Sequence, residues 1–213
     1  MSSFFLKILA LLFMIIDHAG FIVFTENILL RIIGRLAFPI FAYQMAVGFS
    51  HTKNKEKHIL KLLLFGILCQ IPTIIIHNMF GIDMILNIIF TFVFSLLMIY
   101  STEKLKFWNS DTKEFKVSKF LLSLIINISL LIIGCCLNVD YGFYGILLTV
   151  SFYFTLNKKV LSILSFFLLV NFNFFITQSL FSLFAYVSLF DIIFILLFNG
   201  KRGYTNSWIF YAL

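Results

Sequence analysis

The stretch DHAGFIVFTENILLRIIGRLAFPIF, residues 17–41, places four ionisable side chains within two otherwise apolar segments. The four side chains are those of Asp17, His18, Arg31 and Arg35. An ionisable group is costly in hydrocarbon unless it is paired, hydrated or turned toward a protein interior. We therefore expect two membrane-spanning helices here, with the four groups as the candidate functional site.

The composition of the whole chain indicates an all-α, polytopic membrane protein. Of its 213 residues, 62% are hydrophobic and 12% are charged, and the mean hydropathy is +1.06. Soluble domains are about 45–50% apolar and about 25% charged. Within lipid the backbone must satisfy its own hydrogen bonds, so only helices or a closed barrel can span it. The apolar runs lack the period-two alternation of a barrel strand, which leaves a helix bundle surrounded by membrane lipid.

Division of the chain at its polar breaks gives eight apolar spans of about 20 residues, the length that crosses a bilayer. They run approximately over residues 3–24, 28–49, 59–79, 84–101, 119–137, 141–157, 160–177 and 179–198. A partial ninth stretch, SWIFYAL at 207–213, is too short to cross. We interpret residues 1–213 as one integral domain, and either truncation or an interfacial position explains the short last stretch.

The basic residues indicate orientation rather than nucleic-acid binding, although the net charge is +7. Lysine and arginine occupy alternate loops, as expected when those loops are cytoplasmic. These residues are Lys53, Lys55, Lys57, Lys104, Lys106, Lys113, Lys116, Lys158, Lys159, Lys201 and Arg202. The polar breaks between these loops, at residues 25–27, 81–83, 138–140 and 177–179, contain no lysine or arginine. We therefore expect a cytoplasmic amino terminus and a multi-pass protein of the cell (inner or plasma) membrane.

Depth counting brings the four charged groups to a similar level. Asp17 is fourteen positions after Ser3, or about 20 Å from the cytoplasmic face at about 1.5 Å per residue. Arg35 is eight positions after Asn27, or about 12 Å below the outer face. In a hydrocarbon core of about 30 Å, this leaves Arg35 about 20 Å from the cytoplasmic face, the same level as Asp17. Arg31 shares a helix face with Arg35, and Gly34 allows close approach of another helix.

Two interpretations of this cluster remain open. An ion pair between Asp17 and Arg35 would hold two helices in register, with His18 as a hydrogen-bond donor. Two arginines and a histidine facing one carboxylate instead leave a positive charge for an anionic or strongly polar ligand. A neutral histidine beside a carboxylate is also typical of a general base.

Other polar residues within the spans are weaker candidates. Most are typical of interhelical hydrogen bonding. Asp191, a carboxylate within the last span, would be able to form an ion pair with the surplus arginine. Cys69, Cys135 and Cys136 are expected to be small buried hydrophobic side chains rather than a disulfide framework, and the chain has no metal-ligand spacing.

Several motifs resemble the TraX family of membrane proteins, whose known member acetylates the amino terminus of a conjugative pilin subunit. In family order they are LKILALLFMIIDHAG, LRIIGRLAFPIFAY with VGFSHTKNKEKH, LLLFGILCQIP, LNIIFTF and VDYGFYGIL. They cover most of the first 150 residues. The combination is specific, whereas a single DH or RxxxR motif is common in membrane proteins.

The resemblance implies acyl transfer from cytoplasmic acetyl-CoA to an amine or hydroxyl of a protein, peptide or glycan acceptor. It implies His18 as general base oriented by Asp17, with Arg31 and Arg35 stabilising the thioester oxygen or a donor phosphate. It assigns the anionic CoA to a lysine cluster and the acyl group to two polar residues. These are Lys53, Lys55, Lys57 and Lys61, and Asn87 and Thr91.

The chain departs from the family pattern in two places. The family loop after the second span usually carries arginine, whereas this chain has lysine, which keeps the charge but loses bidentate geometry. The family also tends to end in an aromatic stretch leading into proline and histidine, and this chain stops at FYAL. If that histidine contributes to activity, this chain is expected to be incomplete or inactive.

Two rival functions remain. A proton-coupled small-molecule transporter also uses buried aspartate, histidine and arginine, although the sequence shows no pair of corresponding broken helices. A purely structural membrane subunit would tolerate replacement of the charges in pairs by apolar residues.

Overall fold

The structure, a computed structural model, describes residues 1–81, 85–106, 108–109, 114–179 and 183–203. The prediction of an all-α protein is confirmed: apart from two strands of two residues each, the regular elements described are helices. They are α1 (Ser3–Ile22), α2 (Ile28–Gly34), α3 (Ala37–Ser50), α4 (Lys55–Phe80), α5 (Ile88–Leu105), β1 (Trp108–Asn109), β2 (Glu114–Phe115), α6 (Val117–Cys136), α7 (Gly142–Thr155), α8 (Lys159–Thr177), a 3-10 helix (Val187–Phe190) and α9 (Asp191–Leu197).

Six stretches of the described residues are long and apolar enough to cross a membrane. They are Ser3–Ile22, Ile28–Ser50, Lys55–Met79, Ile88–Leu105, Val117–Cys136 and Lys159–Thr177. The spans expected at 141–157 and 179–198 correspond to shorter apolar helices, Gly142–Thr155 and Val187–Leu197. Eight crossings and a cytoplasmic amino terminus therefore stay predictions, and the stretch at 207–213 lies outside the described residues.

The chain forms two compact units, and its interpretation as a single domain stays a prediction. Unit 1 consists of Met1–Val47 together with the described residues from Thr155 onward, and unit 2 of Gly48–Phe154. Helix α3 therefore begins in unit 1 and ends in unit 2.

In unit 1, α1 and α2 form a closely packed hairpin. Ser2 caps α1 by accepting a hydrogen bond from the Phe5 amide, and Asn27 caps α2 by accepting one from the Leu29 amide. Between the helices, a Cβ placed on Gly20 would lie only 2.7 Å from the Cβ of Leu30. A glycine here therefore lets the two backbones approach each other.

In the rest of unit 1, α9 and the residue after it contact α1, α3 and α8. The rings of Phe13 and Phe194 lie 6.4 Å apart, and those of Tyr43 and Phe198 lie 5.7 Å apart. Lys159 Nζ donates to the carbonyls of Leu196 and Phe198, at 2.9 and 3.1 Å. A cation at these carbonyls stabilises the end of α9, where helix carbonyls have no partner within the helix.

In unit 2, α5, α6 and α7 contribute to a hydrophobic core, and α5 and α6 also make a polar contact. The core includes Met98, Val139 and Ile146. Between α5 and α6, Asn127 accepts from Ser101 and donates to Thr102, both at 2.8 Å. This amide therefore forms interhelical hydrogen bonds, as predicted for most polar residues within the spans.

The prediction that the three cysteines are buried is wrong. Cys135 and Cys136 are exposed at the end of α6, and Cys69 of α4 is half-buried. Lipid is as apolar as a protein interior, so a small apolar side chain within a span does not have to be covered by protein.

Candidate functional site

The centre of the α1–α2 hairpin is an ion pair between Arg31 and Asp17. Arg31 Nη1 lies 2.6 Å from Asp17 Oδ2 and 3.3 Å from the Asp17 carbonyl oxygen. The two side chains are 20% and 19% exposed. The pair places these two residues at one level, as the depth argument predicted for the cluster.

Gly34 brings α2 directly onto Asp17. A Cβ at this position would lie 2.3 Å from the Cβ of Asp17 and 2.7 Å from its Cα. The predicted close approach at Gly34 is therefore confirmed, and the residue that it approaches is the charged one. The contact leaves no room for a side chain at position 34.

Asp17 pairs with Arg31. The sequence analysis expects an ion pair between Asp17 and Arg35 if the cluster is purely structural, and this expectation is corrected. The four-residue spacing of the arginines assumes a continuous helix, but α2 ends at Gly34 and α3 begins at Ala37. The Arg35 amide donates to the carbonyls of Ile32 and Ile33 in a tight turn. Because the turn interrupts the helix, helical spacing no longer sets the direction of Arg35.

Arg31 is held by a second contact besides the carboxylate. Its guanidinium carbon lies 5.0 Å from the centre of the Phe21 ring, within the range of a cation–π interaction. Asp17 and Phe21 are four residues apart and so lie on one face of α1. That face of α1 therefore contacts the Arg31 cation through both a carboxylate and an aromatic ring.

His18 lies on an exposed part of α1 and is oriented by a backbone carbonyl. Its Nδ1 lies 2.8 Å from the carbonyl oxygen of Met14. Because a carbonyl accepts hydrogen bonds only, Nδ1 carries the hydrogen, and in the neutral ring Nε2 holds the lone pair. The expectation that Asp17 orients this ring is corrected, since the carboxylate bonds Arg31 instead. Asp17 Oδ1 is buried and accepts no hydrogen bond from the described residues.

Asp191 forms no ion pair within the described residues, so the expectation that it answers a surplus arginine is wrong for that part of the chain. The side chain is 0% exposed, and neither carboxylate oxygen has a hydrogen-bond partner there. The sequence places it in an apolar helix but does not indicate which groups surround it.

In unit 2, part of the predicted lysine cluster lines a shallow pocket that is open to its surroundings. The pocket has a volume of about 310 Å³, and its lining residues are Lys53, Asn54, Lys55, Glu56 and Tyr100. Lys57 and Lys61 are exposed on α4 and are not among the lining residues. The structure thus brings two of the four predicted lysines to one concave surface.

Lys55 is engaged by residues that the sequence analysis missed. Its Nζ donates to Glu103 and, at 2.9 Å, to the Tyr153 hydroxyl, which in turn donates to Glu103 Oε1 at 2.5 Å. The ring of Phe49 lies 5.0 Å from the same Nζ. The partners are distant in sequence, and only the lysine–glutamate charge pattern would have been a signal for them.

Asn87 has a structural role at the start of α5. It caps the helix by accepting from the Ile89 amide at 3.0 Å, and it donates to the Gly66 carbonyl and the Gln70 side chain, both at 2.9 Å. The sequence does not reveal this role. Its predicted contact with the acyl group stays a prediction.

Thr91 is buried one turn later on the same helix. Its side chain is 0% exposed, and its hydroxyl donates to the Asp140 carbonyl at 2.5 Å. This bond joins α5 to the segment before α7. A contact between Thr91 and the acyl group also stays a prediction.

Two known proteins are similar to about a third of this chain. A probable fimbrial assembly protein, FimC of serogroup H1 from Dichelobacter nodosus, is 33% identical over 73 residues, which are 32% of this chain and 30% of that protein. An uncharacterized protein of Rickettsia prowazekii (strain Madrid E) is 36% identical over 75 residues, 35% of this chain and 28% of that protein. These matches therefore span less than a third of either relative.

No solved structure matches the chain. The family model described as TraX protein, in contrast, matches residues 2–213, which is nearly the whole sequence. The motifs quoted from the first 150 residues are thus part of a match that extends to the last residue. The chain belongs to the TraX family.

Proposed function

We propose that this chain is an integral membrane acyltransferase that moves an acetyl group from cytoplasmic acetyl-CoA to an amine or hydroxyl. The observation that carries the proposal is the 2.8 Å contact of His18 Nδ1 with the Met14 carbonyl oxygen, which assigns the hydrogen to Nδ1 and leaves Nε2 as the base. Family membership over residues 2–213 supports this assignment. A pilin or fimbrial subunit is the acceptor that we favour, because one relative is named a probable fimbrial assembly protein.

His18 has one task in the proposed reaction. As the acceptor nitrogen attacks the thioester carbonyl carbon, Nε2 takes the proton that this nitrogen loses. The carbon–sulfur bond then breaks, and the imidazolium returns the proton to the leaving sulfur. The products are the acetylated acceptor and CoA with a free thiol, and His18 is again neutral.

The arginines have different tasks. Arg31 is already committed to Asp17, at 2.6 Å, so we assign it to holding α1 against α2. Arg35 lies in the turn between α2 and α3, and we assign it to stabilising the thioester oxygen as negative charge develops there. This division predicts that Arg31 variants lose stability first, whereas Arg35 variants lose catalysis first.

The open pocket in unit 2 is our candidate for the anionic nucleotide part of CoA. Its lining includes Lys53 and Lys55, and Lys57 and Lys61 are exposed on α4, the helix that begins at Lys55. Exposed lysines raise the local concentration of an anion even without a fixed contact. Because Glu103 and Tyr153 hold Lys55, we assign direct phosphate binding to Lys53 rather than to Lys55.

The test is reconstitution in liposomes with labelled acetyl-CoA and a peptide that has a free amino terminus. We expect the wild type to transfer the label, and His18→Ala to lower the rate by about 10²–10⁴-fold, the usual contribution of a general base. Ile15→Ala, an exposed position on the same helix, is the matched control and should leave the rate unchanged. Failure of the wild type to bind acetyl-CoA would remove the enzyme proposal, and an unchanged rate in His18→Ala would move the base elsewhere.

A proton-coupled transporter is the second candidate, and the interrupted second span favours it. Transporters build substrate sites from discontinuous helices near the middle of the membrane, and here a two-residue turn separates α2, which ends at Gly34, from α3, which begins at Ala37. The same liposomes separate the two functions. Proton flux that needs no acetyl-CoA and is lost in Asp17→Asn would support the transporter.

A further inference from the structure

Asp191 is a buried carboxyl group that the proposed acyl transfer does not use. It is the first residue of α9 and follows directly on the 3-10 helix Val187–Phe190. The side chain is 0% exposed, and neither oxygen has a hydrogen-bond partner within the described residues. The nearby hydroxyl of Ser188 donates to the Ala185 carbonyl and so does not serve the carboxyl group.

The charged groups on the elements beside α9 are engaged elsewhere. On α8, Lys159 bonds the carbonyls of Leu196 and Phe198 at the far end of α9, five residues or about 7.5 Å along the helix from Asp191. On α1, whose Phe13 contacts Phe194, Asp17 bonds Arg31. The remaining ionisable groups of α1 and α8 are Lys7 and His18, and α3, whose Tyr43 contacts Phe198, adds the Tyr43 hydroxyl. None of the described residues forms an ion pair or hydrogen bond with the Asp191 carboxyl group.

An ionised carboxylate is expensive in such a position. No counter-charge and no hydrogen-bond donor among the described residues offsets the free energy lost when the charge leaves water. Membrane lipid around the protein supplies neither. Protonation removes the charge and most of this cost. Asp17 differs in the same unit, because its carboxylate has a counter-charge, the Arg31 guanidinium, at 2.6 Å.

We propose that Asp191 is a proton-binding site in the interior of unit 1, with its carboxyl group held as the neutral acid at neutral pH. The ligand is a proton, and the site is separate from the His18 base and from the Asp17–Arg31 pair. Since Asp191 begins α9, docking of this helix requires that the proton be bound.

Infrared spectroscopy of the full chain in lipid tests the proposal directly. With ¹³C-labelled aspartate, a protonated aspartyl carboxyl gives a carbonyl band that shifts with the label and is separate from carboxylate bands. We expect this band in the wild type at neutral pH, its retention in Asp17→Asn, and its loss in Asp191→Asn. Absence of the band from the wild type, or its persistence in Asp191→Asn, would overturn the proposal.

A second variant covers the case in which Asp191→Asn does not fold. Asp191→Glu keeps an acid at the position, and with label on aspartate alone the labelled band should disappear while an unlabelled protonated glutamyl band appears. A labelled band of unchanged intensity in this variant would contradict the assignment. Neither measurement depends on acyl transfer, so failure of the proposed function would leave this result unaffected.

Discussion

Gly34 packs so closely on Asp17 that a Cβ at position 34 would lie 2.3 Å from the Cβ of Asp17. The atoms on the other side of this contact include the Cα of Asp17, at 2.7 Å, so a rotamer change cannot relieve a clash. The glycine therefore sets the distance between α1 and α2. The same distance lets Arg31 Nη1 reach Asp17 Oδ2 at 2.6 Å.

We expect Gly34→Ala to lower the free energy of unfolding by about 1–3 kcal/mol, the usual cost of overpacking. The backbones must separate, and the ion pair lengthens with them. Gly48→Ala is the matched control, because a Cβ there meets nothing within 4 Å. Thermal unfolding in detergent measures both variants, and equal stability of the two would contradict the contact.

The extent of several helices could be predicted from hydropathy, and local capping explains the remaining shifts. The first span was predicted at 3–24, and α1 is Ser3–Ile22. Helix α4 begins at Lys55, four residues before the predicted 59, because Asn54 Oδ1 accepts from the Lys57 amide at 2.9 Å. The first turn is polar, so a search for apolar residues does not detect it.

The partners within the candidate site were less predictable. The choice of Arg31 over Arg35 depends on the turn after Gly34, which hydropathy does not show because the whole second span is apolar. The contact of Lys55 with Tyr153 joins residues 98 positions apart. Sequence gives the residue types at such a site, but packing of separate helices decides which of them meet.

A double-mutant cycle should locate the partner of Asp17. For Asp17→Asn with Arg31→Gln we expect a coupling free energy of about 1–3 kcal/mol, because the side chains are in direct contact and only a fifth exposed. Unfolding of the single and double variants in detergent provides the four values. The cycle of Asp17→Asn with Arg35→Gln is the control and should give a smaller coupling. The reverse order would restore the pairing of Asp17 with Arg35.

The Tyr153 hydroxyl links Lys55 to Glu103, so its removal should destabilise unit 2. Tyr153→Phe is expected to cost about 2 kcal/mol, since both lost hydrogen bonds involve charged groups with side chains only 21% and 34% exposed. Thermal unfolding in detergent measures the loss.

Tyr100→Phe is the matched control for Tyr153→Phe. Tyr100 bridges Glu56 and Lys104 in the same way, but those side chains are 69% and 66% exposed. Solvent weakens such surface contacts, so the loss should be clearly smaller. A larger loss of stability in Tyr100→Phe than in Tyr153→Phe would show that solvent exposure does not determine the strength of these hydrogen bonds.

Asn87→Ala separates a structural role from a role in binding acetyl-CoA. The side chain caps α5 and bonds Gly66 and Gln70 of α4, so its loss should cost about 2 kcal/mol of stability. If the role is structural, the affinity of the folded variant for acetyl-CoA, measured by equilibrium binding below its melting temperature, should match the wild type. Asn78→Ala, at an exposed position late in α4, should change neither quantity. Unchanged stability with weakened binding would instead indicate that Asn87 contacts the acyl group and that its hydrogen bonds contribute little to folding.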